Sequence, residues 1–225
     1  MKNTITKYPY LLLIVPLVLA YFANNSYGFV FKAGVPGSCI IILAFLYRKV
    51  LKTTPDIWYV FGAFFFSIAG DWFLSNKGDS FSMFSVGIGL YLIAHIGYMG
   101  FALMNGRIHK IFTFIILSGY LLFFYFLLFP AIDDTILMIA TLLYSLISCF
   151  SIGAAAGMKL KPFVKWAYFL GVALVLFSDT IIAFYEFVGY RELNFLILPT
   201  YYAAHMAVTL ALIKRRIDTK LRTAN

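Results

Sequence analysis

Residues 57–74 read IWYVFGAFFFSIAGDWFL, an apolar run broken by a single charge, Asp71. Eighteen residues of helix at 1.5 Å each cover about 27 Å, close to the ~30 Å hydrocarbon core of a bilayer. The run has no alternation of period two, so it reads as a spanning helix and not as a barrel strand. Seven further runs of the same kind lie at 9–23, 30–47, 82–104, 110–129, 135–157, 163–188 and 194–213. Short polar connections join them: Asn24-Asn25-Ser26, Lys52 to Asp56, Asn76 to Ser80, Asn105 to Lys110, the Asp133-Asp134 turn, Lys159 to Lys165, and Gly189 to Asn194. None is long enough to separate domains. The expected fold is an all-α polytopic membrane bundle of about eight transmembrane helices forming one domain, 1–225.

Composition points the same way. The 225 residues are 63% hydrophobic and 12% charged, with a mean hydropathy of +0.91. A water-soluble chain carries about 25% charged residues, so this one cannot cover a wet surface. The net charge of +9 does not signal nucleic-acid binding, because Lys and Arg sit in short clusters between the apolar runs. Cys39 and Cys149 fall inside apolar runs and read as buried small hydrophobes, not as a disulfide or metal pair.

The clusters also set an orientation. Fifteen of the 18 basic residues belong to the N-terminus, to loops 2–3, 4–5 and 6–7, and to the C-terminal tail: Lys2, Lys7, Arg48, Lys49, Lys52, Arg107, Lys110, Lys159, Lys161, Lys165, Lys214, Arg215, Arg216, Lys220 and Arg222. The other side holds only Lys32, Lys77 and Arg191. The positive-inside rule then places both termini in the cytoplasm. The first run has a rival reading as a signal peptide, with Lys2 and Lys7 as its basic end, but no small-x-small cleavage site follows it.

An internal repeat emerges from the charged residues. Asp71 follows Gly70 in segment 3, and Asp179 follows Ser178 in segment 7. The next helix in each case carries Tyr-x-x-Ala-His, as Tyr91 to His95 and as Tyr201 to His205. The aspartates are 108 residues apart and the histidines 110. Two four-helix halves, 1–108 and 109–225, would run the same way through the membrane, related by an axis along its normal.

Asp71 and Asp179 are the leading candidates for chemistry. A carboxyl group inside a bilayer costs about 2.5–3.5 kcal/mol on insertion scales, so it faces a cavity or a partner. The bland alternatives are a helix–helix hydrogen bond for either, or an interfacial group for Asp71. Glu186, seven residues after Asp179, is either interfacial or a rim group. His95 and His205 are mid-helix and could be simple interhelical partners. Tyr91, Tyr98, Tyr201 and Tyr202 flank them at helical neighbour spacing; of these, Tyr202 is singled out. Lys32 opens segment 2 as either a snorkelling lysine or an anchor for a lipid phosphate. No His-Glu-x-x-His, Cys-x-x-Cys, Gly-x-Ser-x-Gly or phosphate-binding glycine loop occurs. No sequence-local pair has ligand spacing, so neither a metal nor a cofactor is expected.

At these residues the chain resembles the lysoplasmalogenase family, the YhhN-like multi-pass membrane proteins. The similar stretches are Phe66 to Leu74, Ala94 to Tyr98, Leu176 to Ala183 and Tyr201 to His205. Two departures stand out: the family often has Lys-Pro where this chain has Lys32-Ala33, and Gln where it has His205. The first weakens the phosphate-anchor role of Lys32, and the second leaves His205 without a role inherited from the family. The resemblance implies a lysophospholipid substrate drawn from membrane lipid, and hydrolysis of the vinyl ether of a lysoplasmalogen to a fatty aldehyde and a glycerophospho-alcohol. Such chemistry needs one protonated and one ionised carboxyl group, as glycosidases use. Asp71 and Asp179 would supply them, with His95 and Tyr202 positioning the pair. The alternative function is a proton-coupled transporter of a small solute or lipid, with the Asp–His pairs as relay. A metal-dependent lipid hydrolase and a purely structural membrane protein are the further rivals.

Overall fold

The computed structural model describes residues 8–25, 28–78 and 80–224, with side chains to Leu221. Lys2, Lys7 and Ser26, and the side chain of Arg222, lie outside the described residues. Among the described residues the chain forms eight helices and no named strand. They are α1 (Pro9–Asn24), α2 (Phe29–Tyr47), α3 (Ile57–Ser75), α4 (Phe81–Met104), α5 (Lys110–Ala131), α6 (Thr135–Ala156), α7 (Pro162–Val188) and α8 (Ile197–Ala224, opened by a 3-10 turn Asn194–Leu196). Seven are long and apolar enough to cross a membrane, and α1 is the shorter one. Opening on a 3-10 turn, Pro9–Leu13, α1 rises about 26 Å. It packs on α2 and α8, as a bundle member does.

Helix boundaries follow local chemistry. Ser80 and Asp134 cap α4 and α6, accepting from the backbone N–H of Met83 at 3.3 Å and Leu137 at 2.7 Å. Pro162 opens α7, where a missing N–H costs nothing. Gly189, at φ 74°, ends it. The one marked departure from the apolar runs is α8, which continues past residue 213 to Ala224. Its polar extension is held by pairs that hydropathy does not register. Lys214 and Lys161 meet Asp218 at 3.1 and 3.2 Å, and Arg216 donates to the Leu46 carbonyl at 3.2 Å.

The packing partners of the first four helices recur in the last four. α1 lies on α2 as α5 lies on α6, α2 on α3 as α6 on α7, and α3 along α4 as α7 along α8. Across the halves, α4 packs on α6 and α8 on α2. Small residues set the tightest approaches. A Cβ on Gly97 of α4 would come within 2.6 Å of the Tyr59 carbonyl and 3.0 Å of the Ala63 methyl on α3. A Cβ on Gly171 of α7 would come within 2.6 Å of Val208 on α8. Ala63 and Gly171 are themselves 108 residues apart. Ser38-Cys39 and Ser148-Cys149 recur at an offset of 110, and both cysteines are fully buried.

The end of the bundle where α1 begins and α8 ends is closed by polar contacts. Asp56, 4% exposed, accepts from Arg215 Nη1 at 2.5 Å and Asn105 Nδ2 at 2.8 Å. The Arg215 guanidinium also lies over the Phe101 ring at 5.4 Å. The Asn105 carbonyl accepts from the Lys159 N–H at 2.8 Å, joining loops 4–5 and 6–7. Asp56→Ala should therefore cost about 2 kcal/mol, because a charged hydrogen bond is lost and Arg215 is left without its partner. Thermal unfolding in detergent checks this, and an unchanged midpoint would contradict it.

Candidate functional site

The opposite end of the bundle is open. A vestibule of 710 Å³ lies among the 3–4 and 5–6 loops and the end of α7, lined by Lys77, Ser80, Phe84, Asp133, Asp134 and Glu186. Lys77 Nζ and Glu186 Oε2 form a salt bridge of 3.0 Å at its edge, with Lys77 over the Phe84 ring. Two smaller cavities share lining residues with the vestibule. One, of 190 Å³, shares Lys77 and Glu186 and contains Lys32, Asp71, Tyr91 and Tyr201. The other is a narrow apolar slot that shares Phe84 and Phe187 and leads to Asp179. Its walls are mainly Leu74, Ile88, Phe123, Leu128 and Leu176, with Tyr120, Thr141, Tyr144, Ser145 and Thr180 as the polar members.

Leu74, Tyr91 and Ile182 line both cavities and so form their common wall. Asp71 and Asp179 stand on either side of it. Glu186 borders the vestibule and the Asp71 cavity, a rim position. α5 and α7 both widen into π-helix on this end, at Phe124–Leu128 and Phe184–Val188. Their rings Phe123 and Phe184 meet at 5.1 Å, and Phe123 stands in the slot wall. Such widenings are frequent at functional sites.

The two carboxyl groups are held differently. Asp71 accepts from the Tyr91 hydroxyl on Oδ1 and from the Tyr201 hydroxyl on Oδ2, the latter at 2.8 Å. Tyr91 and Tyr201 are the matched tyrosines of the two halves, and both converge on one aspartate. Asp179 accepts from the Tyr144 hydroxyl on Oδ2. His95 Nε2 lies 3.5 Å from the same oxygen, near enough for an ion pair but outside hydrogen-bond geometry. Each site thus draws on both halves: Tyr201 of α8 reaches Asp71, and His95 of α4 reaches Asp179.

The glycine before Asp71 has a local reason. A Cβ on Gly70 would lie 2.9 Å from Cε2 of Tyr91, so only glycine lets the ring lie flat on α3 with its hydroxyl on the neighbouring carboxylate. Ser178, before Asp179, instead donates to the Ile197 carbonyl at 3.0 Å and ties α7 to the start of α8.

Of the remaining candidates, His205 is fully buried behind the tyrosines. Its Nδ1 pairs with the Tyr201 carbonyl at 2.9 Å and its Nε2 sits 3.5 Å from the Tyr98 hydroxyl. It supports Tyr201 and does not meet Asp71, so the second histidine of the repeat does not mirror the first. Tyr202 is 1% exposed and makes no hydrogen bond to either aspartate; its hydroxyl has no partner among the described residues. Lys32 shares the cavity of Asp71. Tyr144 carries no signal in the sequence, being one of 16 tyrosines. Tyr91 and Tyr201 had one, their place in the repeated motif. Among the described residues no three His, Cys, Asp or Glu side chains converge as a metal cage.

The Gly70–Tyr91 contact can be isolated by a double-mutant cycle. Gly70→Ala should cost about 1–3 kcal/mol of stability in the wild-type background, through overpacking, and close to nothing when Tyr91 is already alanine. Unfolding in detergent measures both, and an equal cost in the two backgrounds would contradict the contact.

Comparison with curated proteins and with solved structures finds no match. The sequence model of the YhhN family matches residues 30–212, which run from the start of α2 into α8 and include Asp71, His95, Asp179 and His205. The chain belongs to the YhhN family.

Proposed function

We propose that this protein is a membrane hydrolase that cleaves the vinyl ether bond of lysoplasmalogens, releasing a fatty aldehyde and a glycerophospho-alcohol. One observation carries the proposal: two intramembrane aspartates flank the wall between a polar cavity and an apolar slot. A single-chain lipid would place its phosphate by Lys32 in the first and its chain in the second. Its ether linkage then passes between the carboxyl groups, beside Tyr91. Membership of the YhhN family is consistent with this chemistry.

The reaction begins with a proton delivered to the β-carbon of the vinyl ether. The π pair forms the new C–H bond, and an oxygen lone pair generates an oxocarbenium ion. Water adds to the carbon that bears the ether oxygen and gives up a proton, and the resulting hemiacetal collapses to aldehyde and alcohol. Asp71 accepts two tyrosine hydroxyls and suits the role of a fixed anion beside the cation. Asp179 faces the slot and is bound through one oxygen only, which suits the proton donor. Charge stabilisation in a water-poor site is worth far more than in bulk water.

The scaffold proposed with this function is a tandem of four-helix halves, 1–108 and 109–225, supported by the recurring packing pairs. Both termini are assigned to the cytoplasm, supported by the basic residues gathered at their end of the bundle. The vestibule then opens on the opposite face.

Mass spectrometry of products from purified protein tests the reaction. Lysoplasmalogen should yield aldehyde in detergent, with no gradient present, and the matching ester lysolipid should yield nothing. Asp179→Asn, in a protein that stays folded, should lower turnover by about 10²–10⁴, the range of a general acid. Ester cleavage would move the protein to another hydrolase class. Wild-type turnover in Asp179→Asn would remove Asp179 from the mechanism.

A further inference from the structure

His95 is fully buried, and neither ring nitrogen has a hydrogen-bond partner among the described residues. An imidazole in that condition costs about 1–3 kcal/mol for each unmet group, so native structures satisfy such groups with protein or with ordered water. Its surroundings are polar enough to hold one. Nε2 stands 3.5 Å from Asp179 Oδ2, and a single water oxygen can touch both atoms at about 2.8 Å. The Tyr144 ring packs edge-on at 5.3 Å from the imidazole, and its hydroxyl donates to the same Oδ2 of Asp179. On α6, Thr141 and Ser148 lie about one turn from Tyr144 on either side; Ser148 interacts with the Tyr144 hydroxyl, and the Thr141 hydroxyl has no partner among the described residues. Thr141 and Tyr144 both line the slot, and Tyr144 packs on the histidine, so polar side chains run from the slot to His95.

We infer that His95 holds the water that captures the oxocarbenium ion, an assignment that rests on the hydrolase reading above. His95 lies behind the slot wall formed by Asp179 and Tyr144 and acts through that water, as a positioning residue. Once Asp179 has given its proton to carbon, the water oxygen donates a lone pair to the cationic carbon. The water then releases a proton to the Asp179 carboxylate, which restores the acid. The hemiacetal breaks its bond to the glycerol oxygen as its hydroxyl proton moves there. One water is consumed and no redox partner is needed. The inference gives the pair a division of labour: Asp179 handles the proton, while His95 fixes the nucleophile beside it.

The water-capture step has its own signature. If capture slows, the oxocarbenium ion returns to vinyl ether by losing a proton from the β-carbon. In D₂O that return leaves deuterium on the vinyl carbon of recovered substrate. Wild-type protein should release aldehyde and return substrate without deuterium. His95→Phe should release aldehyde about a hundredfold more slowly, as misplaced reactants do, and return substrate deuterated at the β-carbon. His95→Gln, whose amide can hold a water, should recover part of the rate and show less deuterium. A loss of release with no deuterium in both variants would overturn the inference, since it marks a defect in protonation or folding. Unchanged release in His95→Phe would overturn it as well. No aldehyde from wild-type protein is a separate result: it removes the hydrolase reading and this inference with it.

Discussion

A carboxylate placed among hydrocarbon chains must find hydrogen-bond donors inside the protein, and much of the site's architecture follows from that need. Asp71 draws two tyrosine hydroxyls from two different helices, one from each half of the chain. To let the first tyrosine reach it, α3 gives up a side chain at Gly70. To steady the second, His205 braces the Tyr201 backbone and ring, at 2.9 Å and 4.5 Å. Asp179 is met by Tyr144 and approached by His95, which fixes how α4, α6 and α7 sit against one another. Moving Asp71 would leave two buried tyrosine hydroxyls without their acceptor at once, and moving Asp179 would strand that of Tyr144.

The likeness of the two halves makes their difference informative. Helix packing repeats, and small residues at Gly97 and Gly171 keep both helix pairs close. Strict symmetry would give each aspartate one tyrosine and one histidine from equivalent places. Instead both matched tyrosines serve Asp71, and only His95 of the two histidines meets an aspartate. A reaction that needs a fixed anion and a proton donor requires unequal carboxyl groups. Each half contributes one carboxyl group, and the unlike surroundings of Asp71 and Asp179 supply the inequality.

Much of this was legible in the sequence. Continuous apolar runs near twenty residues long allow few alternatives, so the helices appear close to where hydropathy puts them. Hydropathy misses the extension of α8 because, beside the local Lys214–Asp218 pair, it is held by contacts between residues far apart in the chain: Lys161 with Asp218, Arg215 with Asp56 and Arg216 with the Leu46 carbonyl. The aspartates stood out because charge is rare and costly in a membrane. Of their tyrosines, Tyr91 and Tyr201 showed only through the repeated motif and Tyr144 not at all, since tyrosine is common here and nothing in composition tells a donor from a packing ring. Tyr202 is the tyrosine singled out from the sequence, yet a one-residue step along a helix turns a side chain by about 100°, and Tyr201 is the one that hydrogen-bonds Asp71. The division into a polar cavity and an apolar slot depends on residues from seven helices, α2 to α8, and no local pattern encodes it.

The central claim is that a single-chain lipid lies across the wall between these two cavities with its ether linkage between the carboxyl groups. An experimental structure with a non-cleavable saturated alkyl-ether lysophospholipid bound tests it most directly. The account predicts the phosphate beside Lys32 in the Asp71 cavity, the chain in the slot of Asp179, and the ether oxygen at Tyr91 between the two. A lipid lying along the outer surface of the bundle, with neither carboxyl group near its ether, would contradict it.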